Sequence, residues 1–148
     1  PLEATLGVTN ASFVAQTAEW VPAHLFATLK LAYQHKGFSF VRILQRCPAY
    51  LPKLCEEAVT DPARIEMLIH PDGIEVPELA GSYKDRVFHD PTDIDAARRF
   101  AEDQSKVRLG VYFRDESRPR YEETRHLPTL PAEEKLTVLE QEFDRYAV

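Results

Sequence analysis

Apolar residues come in short runs punctuated by proline, glycine and charge, and the densest run spans Gly37 to Cys47, Gly-Phe-Ser-Phe-Val-Arg-Ile-Leu-Gln-Arg-Cys, followed at once by Pro48. A segment this rich in aromatic and β-branched residues predicts a strand buried on both faces. Phe38, Phe40 and Leu44 fall on one face, and Ser39, Val41 and Ile43 on the other. Such strands belong to parallel sheets covered by helices, where chemistry gathers beyond the carboxyl ends of the strands. Cys47 stands at that position.

An earlier run, Ala11 to Thr17, predicts another buried strand. Between the two, Leu25, Leu29, Ala32 and Tyr33 repeat at helical spacing, widened by Phe26, and predict a helix from about Ala23 to Lys36. Pro22 suits its first turn, and Gly37 its C′ position. Two buried strands joined by a helix form a β-α-β unit with parallel neighbours. The pattern changes after Cys47: Pro48, Tyr50 and Pro52 mark an irregular exit. Thr60-Asp61-Pro62 reads as a turn or short helix start. Ile65–Ile69 and Ile74–Val76 flank His70-Pro71-Asp72-Gly73, which predicts a β-hairpin. A second helix is expected from Asp93 to Asp103, capped by Thr92, with Ile94, Ala97, Phe100 and Ala101 inward. Leu109–Phe113 is a short strand, and Arg114–Pro131 is charged and extended. A last helix starts near Ala132 with Leu136, Leu139 and Phe143 as its buried stripe. The fold class is α/β: residues 1–52 form a β-α-β part of a parallel-sheet domain, and residues 53–148 a mixed α+β extension.

Composition narrows the class. With 148 residues, 44% of them hydrophobic, the chain can bury one real core. The net charge is -6, and the acidity sits in the second part: residues 1–60 carry 5 Lys/Arg against 4 Asp/Glu, residues 61–148 carry 13 against 20. No basic stripe with interleaved aromatics favours nucleic acid, and no apolar run is long enough for a membrane span. Two cysteines are too few for a secreted disulfide framework, so the cytoplasm is the default compartment. Pro1 is not an initiator methionine, and a parallel-type strand so near the start lacks sheet neighbours before it. The pattern reads as a piece of a longer polypeptide.

Candidate chemistry is sparse. His24, His35, His70, His89 and His126 lack zinc-site spacing and read as surface or capping residues. There is no nucleophile elbow, P-loop or dinucleotide fingerprint. Asp72 before Gly73 and Asp90 before Pro91 are turn chemistry. Cys47 has four readings: a core residue, a disulfide partner of Cys55, a reactive thiol favoured by Arg46, or one ligand of an iron–sulfur cluster, which needs four. Spacing alone does not choose among them.

The order Ala11-Ser12-Phe13-Val14-Ala15, Pro22-x-His24-Leu25, His35-Lys36-Gly37-Phe38-Ser39-Phe40-Val41 and Leu44-x-x-Cys47-Pro48 resembles the β subunit of 2-oxoacid:ferredoxin oxidoreductases, in its carboxyl-terminal half. Leu109–Arg114 and Arg118-Pro119-x-Tyr121-Glu122-Glu123 resemble the extension of longer members. The resemblance implies oxidative decarboxylation of a 2-oxoacid with coenzyme A as acyl acceptor; it does not choose the 2-oxoacid, for which 2-oxoglutarate is taken ahead of pyruvate. It implies thiamine diphosphate held through Mg2+, and a [4Fe-4S] cluster passing electrons to ferredoxin. Cys47 occupies the place of the fourth cluster ligand. The other three cysteines and the thiamine diphosphate and magnesium elements are expected in an upstream part of the β subunit, and an α subunit as a further partner. Two departures are Val21 before Pro22, where the family usually has an acid, and Gln45-Arg46 before Cys47, where it often has Ser-Pro or Gln-Pro. A charge beside a cluster shifts its potential. Cys55 reads as structural. The competing readings are a non-catalytic assembly module with Cys47 in its core, and a redox-active thiol protein.

Overall fold

The computed structural model describes residues 1–47, 49, 55–125 and 130–146. The run at Phe13–Ala18 forms β1, buried along its whole length. Pro22–Gln34 forms α2, preceded by a short helix α1 at Leu2–Val8, and Ser39–Leu44 forms β2. Then come α3 (Glu56–Thr60), β3 (Ile65–Ile69), β4 (Arg86–Phe88), α4 (Ile94–Glu102), β5 (Val107–Arg114), α5 (Tyr121–Thr124) and α6 (Ala132–Tyr146). Tight helical turns occupy Pro62–Arg64 and Pro77–Leu79. The strands build one sheet in the order β2-β1-β5-β3-β4. β1 pairs with β2 in parallel, from Phe13 opposite Ser39 to Ala18 opposite Leu44, as the β-α-β pattern predicts. β3 is parallel to both β4 and β5, while β1 and β5 are antiparallel. Two parallel halves therefore meet at one antiparallel seam, and strands from both sides of residues 52/53 share the sheet.

Core packing follows from two apolar faces. On one, Leu2 and Leu6 of α1 and Ala97 of α4 meet Val14, Leu68 and Tyr112. On the other, Ala27 and Leu31 of α2 pack with Phe13, Ala15, Val111 and Ile74. At the seam the register shifts between Val14 and Ala15. Nearby Gly110 has φ +144, and a Cβ there would come within 2.7 Å of Leu68 Cβ. Glycine is the residue that takes this conformation without strain, and such irregularities bend a strand locally.

Several expectations are corrected. β2 is an edge strand, so it is only partly buried, and Ile43 remains 45% exposed. α2 buries His24 and Thr28 and part-buries Ala27, Leu31 and Ala32, leaving Phe26, Leu29 and Tyr33 outside. The sequence carries two apolar stripes on this helix, and the sheet selected the smaller side chains because they allow close approach. Gly37 is not a left-handed cap, since α2 ends on extended His35. Its role is close approach: a Cβ at Gly37 would fall on Ser12 Oγ.

The expected hairpin does not form. Gly73 N donates to His70 O at 2.9 Å, so the turn exists. Ile74 then enters the core instead of pairing. Both edges of β3 are already taken, by β4 and β5. Helix α4 presents Ala97 inward with Ile94, Phe100 and Ala101 beside it, as expected. Its cap is Asp93, whose Oδ1 accepts from Asp95 N and Ala96 N. Thr92 instead donates to Asp90. Helix α6 forms, but Leu136, Leu139 and Phe143 stay exposed, because nothing among the described residues covers them. The exit at Pro48, Tyr50 and Pro52 lies outside the described residues.

Candidate functional site

Cys47 follows β2 by three residues and is half-buried. The chain leading to it is fastened to the end of β1. Glu19 N donates to Leu44 O at 2.9 Å. Glu19 Oε1 accepts from Arg46 Nε at 2.8 Å and from Arg46 N at 3.1 Å. Those hydrogen bonds hold the Glu19 carboxyl below its usual range. Arg46, read from the sequence as a thiolate-stabilising neighbour of Cys47, is thus engaged by a carboxylate. Beneath this corner lies an apolar cluster of Ala18, Val21, Leu44, Ile65 and Leu109, with Trp20 against it.

Cys55 belongs to the same cluster and is not in a disulfide. It heads α3 in the left-handed region at φ 61, a conformation uncommon for residues other than glycine. Burial pushes its thiol pKa up, which favours the protonated form and the structural role expected of it. Among the described residues, no three His, Cys, Asp or Glu side chains converge in a way that could hold a metal ion.

The histidines depart from the surface reading. His24 is buried, with Nδ1 at 2.9 Å from Thr17 Oγ1 and 3.3 Å from Thr28 Oγ1. His89 is buried and donates from Nε2 to Tyr112 O at 2.6 Å. His35 is buried with Nε2 at 2.8 Å from Ser12 Oγ. Only His70 keeps the turn role, accepting from Asp72 N at 3.1 Å. His126 lies outside the described residues.

The Ser12–His35 contact explains part of the motif. Phe38 O accepts from Ser12 N at 3.0 Å and from Phe13 N at 3.2 Å. Ser12, His35, Gly37 and Phe38 thus form the joint at which β1 and β2 begin, at the end of the sheet opposite Cys47. Sequence spacing gave no sign of this joint, because its members are separated by α2.

A second polar centre also escaped the sequence reading. Arg108, on β5, is buried, with its Nε donating to Glu66 Oε2 at 2.6 Å and its NH2 to Asp103 Oδ2 at 2.5 Å. Its guanidinium also lies 5.1 Å from the Phe100 ring centroid. Hydrogen bonds from Ser105 and then Arg108 lower the Asp103 pKa to about 2. This is a charge pairing that anchors α4 to the sheet. Among the described residues, no helix is long and apolar enough to cross a membrane.

No protein-family model and no curated protein matches the sequence. Among solved structures, the chain is similar to a 2-oxoglutarate:ferredoxin oxidoreductase from Magnetococcus marinus, determined with 2-oxoglutarate, coenzyme A and succinyl-CoA bound. The match has a TM-score of 0.60 at 22% identity, and covers 94% of this chain and 43% of the neighbour. The chain therefore spans less than half of that neighbour's length, and the likeness establishes a shared α/β fold with a largely parallel sheet.

Proposed function

We propose that this chain is part of the β subunit of a 2-oxoacid:ferredoxin oxidoreductase. Residues 1–52 are the carboxyl-terminal β-α-β part of its thiamine-diphosphate-binding domain, and residues 53–148 its extension. The observation that carries the reading is a coincidence of two likenesses. The motif ending in Cys47 resembles this family, and the fold resembles a 2-oxoglutarate-oxidising member over nearly the whole chain. The reaction converts a 2-oxoacid and coenzyme A to acyl-CoA, CO2, a proton and two electrons, which ferredoxin accepts. We take 2-oxoglutarate as the 2-oxoacid, on the strength of the neighbour's name, and the cytoplasm as the compartment.

A [4Fe-4S] cluster suits a half-buried thiolate at a strand end, and this chain would supply one of its four ligands, Cys47. Such a cluster, when bound, relays electrons singly. This chain's own contribution is to fix the ligand's position: β2 is held by β1, and the Glu19–Arg46 pair holds the last residues before Cys47. The remaining ligands, thiamine diphosphate, Mg2+ and the α subunit belong to other parts of the assembly.

In the complete enzyme, Cys47→Ser is expected to lower iron content and ferredoxin reduction, and Cys55→Ser to leave both intact. A serine oxygen is a harder ligand than thiolate and suits iron–sulfur clusters less well. Full iron content and full rate in Cys47→Ser would sink the ligand assignment and leave the assembly-module reading, with Cys47 a packing residue.

A further inference from the structure

A cleft of about 900 Å³ opens between the carboxyl end of α2 and the Arg118–Thr124 segment, at the end of the sheet opposite Cys47. Its lining brings together three cations, Lys36, Arg118 and Arg120, against one carboxylate, Glu122. In a chain of net charge -6, that local excess of positive charge runs against the whole. Arg118 is shared with Asp115 at 3.2 Å. The side chains of Lys36 and Arg120 form no ion pair among the described residues, although the Arg120 backbone N–H donates to Glu123 Oε2 at 3.1 Å.

Two tyrosines in the lining stand out from the protein: Tyr33 is 89% exposed and Tyr121 67%. His35 forms part of the wall. Its Nε2 is satisfied by Ser12, while Nδ1 is buried with no hydrogen-bond partner among the described residues. Cations without counter-charges suit phosphate, and exposed aromatic faces suit a base. The volume is that of a small-molecule site.

We propose that this cleft binds a nucleoside phosphate, the phosphate on Lys36 and Arg120 and the base against Tyr33 or Tyr121. A free nucleotide and the nucleotide end of a larger cofactor share this chemistry. The site is separate from Cys47 and stands whether or not the cluster assignment holds.

The test is photolabelling of the complete protein, in its native assembly, with 8-azido-ADP, followed by peptide mapping. Label is expected on the peptide holding Tyr33 or Tyr121, displaced by ADP and not by equimolar inorganic phosphate. Displacement by coenzyme A as strong as by ADP assigns the cofactor source, and weaker displacement the free nucleotide; both support the site. Lys36→Ala with Arg120→Ala should reduce labelling about tenfold. Both side chains are exposed, so the double variant should keep the wild-type melting temperature. Label that maps only elsewhere, that survives the double variant, or that phosphate displaces as well as ADP overturns the proposal.

Discussion

His24 sits 1% exposed between β1 and α2, and burial lowers its pKa to about 4. Its ordinary value is near 6.5, so the unfolded chain binds a proton that the folded chain refuses between those limits. Neutral His24 therefore contributes its full stability above pH 6.5, and that contribution is lost as pH falls to about 4. The depression corresponds to roughly 3 kcal/mol. Urea unfolding across this window should show stability falling with pH in the wild type, and a shallower fall in His24→Gln. Some slope should remain in the variant, because burial, aided by Arg114, lowers the pKa of His35 too. Identical pH profiles for wild type and His24→Gln would refute the assignment. None of this was readable from sequence. A histidine within an apolar helix stripe looks the same whether the stripe faces the sheet or the solvent, and the Thr17 that meets it belongs to a different element. Cys47 was legible for the opposite reason: it ends a single continuous run, so its place at a strand terminus needs no knowledge of distant contacts.

At the scale of elements, local pattern carried the β1-α2-β2 unit and the inward face of α4, because each depends on a neighbouring run and a cap within the same segment. Sequence pattern failed where the partner is remote. The Asp72-Gly73 turn promised a hairpin, yet β5, more than thirty residues downstream, occupies the edge of β3 that a returning strand would need. The orientation of α2 failed because Phe26, Leu29 and Tyr33 form as good a stripe as the one the sheet buries. The joint of β1 and β2 offers a direct test of such remote packing. Gly37→Ala would drive a Cβ onto Ser12 Oγ, with Ser12 Cβ and His35 Nε2 each 3.0 Å away. Overpacking of this kind costs about 1–3 kcal/mol. The Ser12→Ala/Gly37→Ala double variant removes the closest atom and should recover part of the loss. Thermal unfolding of the four proteins in this cycle gives the coupling. Additive losses would mean that Gly37 is required for some reason other than Ser12.

For the whole molecule, apolar surface is distributed as though more protein belongs against it. Among the described residues, β2 closes one side of the sheet as an edge strand. Beside it, Phe26 is 71% and Phe38 64% exposed, with Leu29, Tyr33 and Ile43 open as well. Helix α6 adds a separate stripe of Leu136, Leu139 and Phe143. Unpaired strand edges and large apolar patches promote association, and the repulsion from a net charge of -6 is screened by salt beyond about 10 Å. A strand composed as if for burial on both faces, yet found at an edge, fits a chain that spans 43% of its structural neighbour. Expressed alone, the chain should therefore self-associate and bind no thiamine diphosphate, whose binding elements the resemblance puts in other parts of the subunit. Sedimentation across a wide concentration range should show mass rising with concentration. Phe26→Glu combined with Ile43→Lys should shift it toward monomer, since both positions are exposed and neither belongs to the buried core clusters. Magnesium-dependent thiamine diphosphate binding by calorimetry would contradict the subunit reading. A sharp monomer that unfolds cooperatively would show instead that the exposed face is tolerated in water, and that this chain is an autonomous domain rather than one face of a larger assembly.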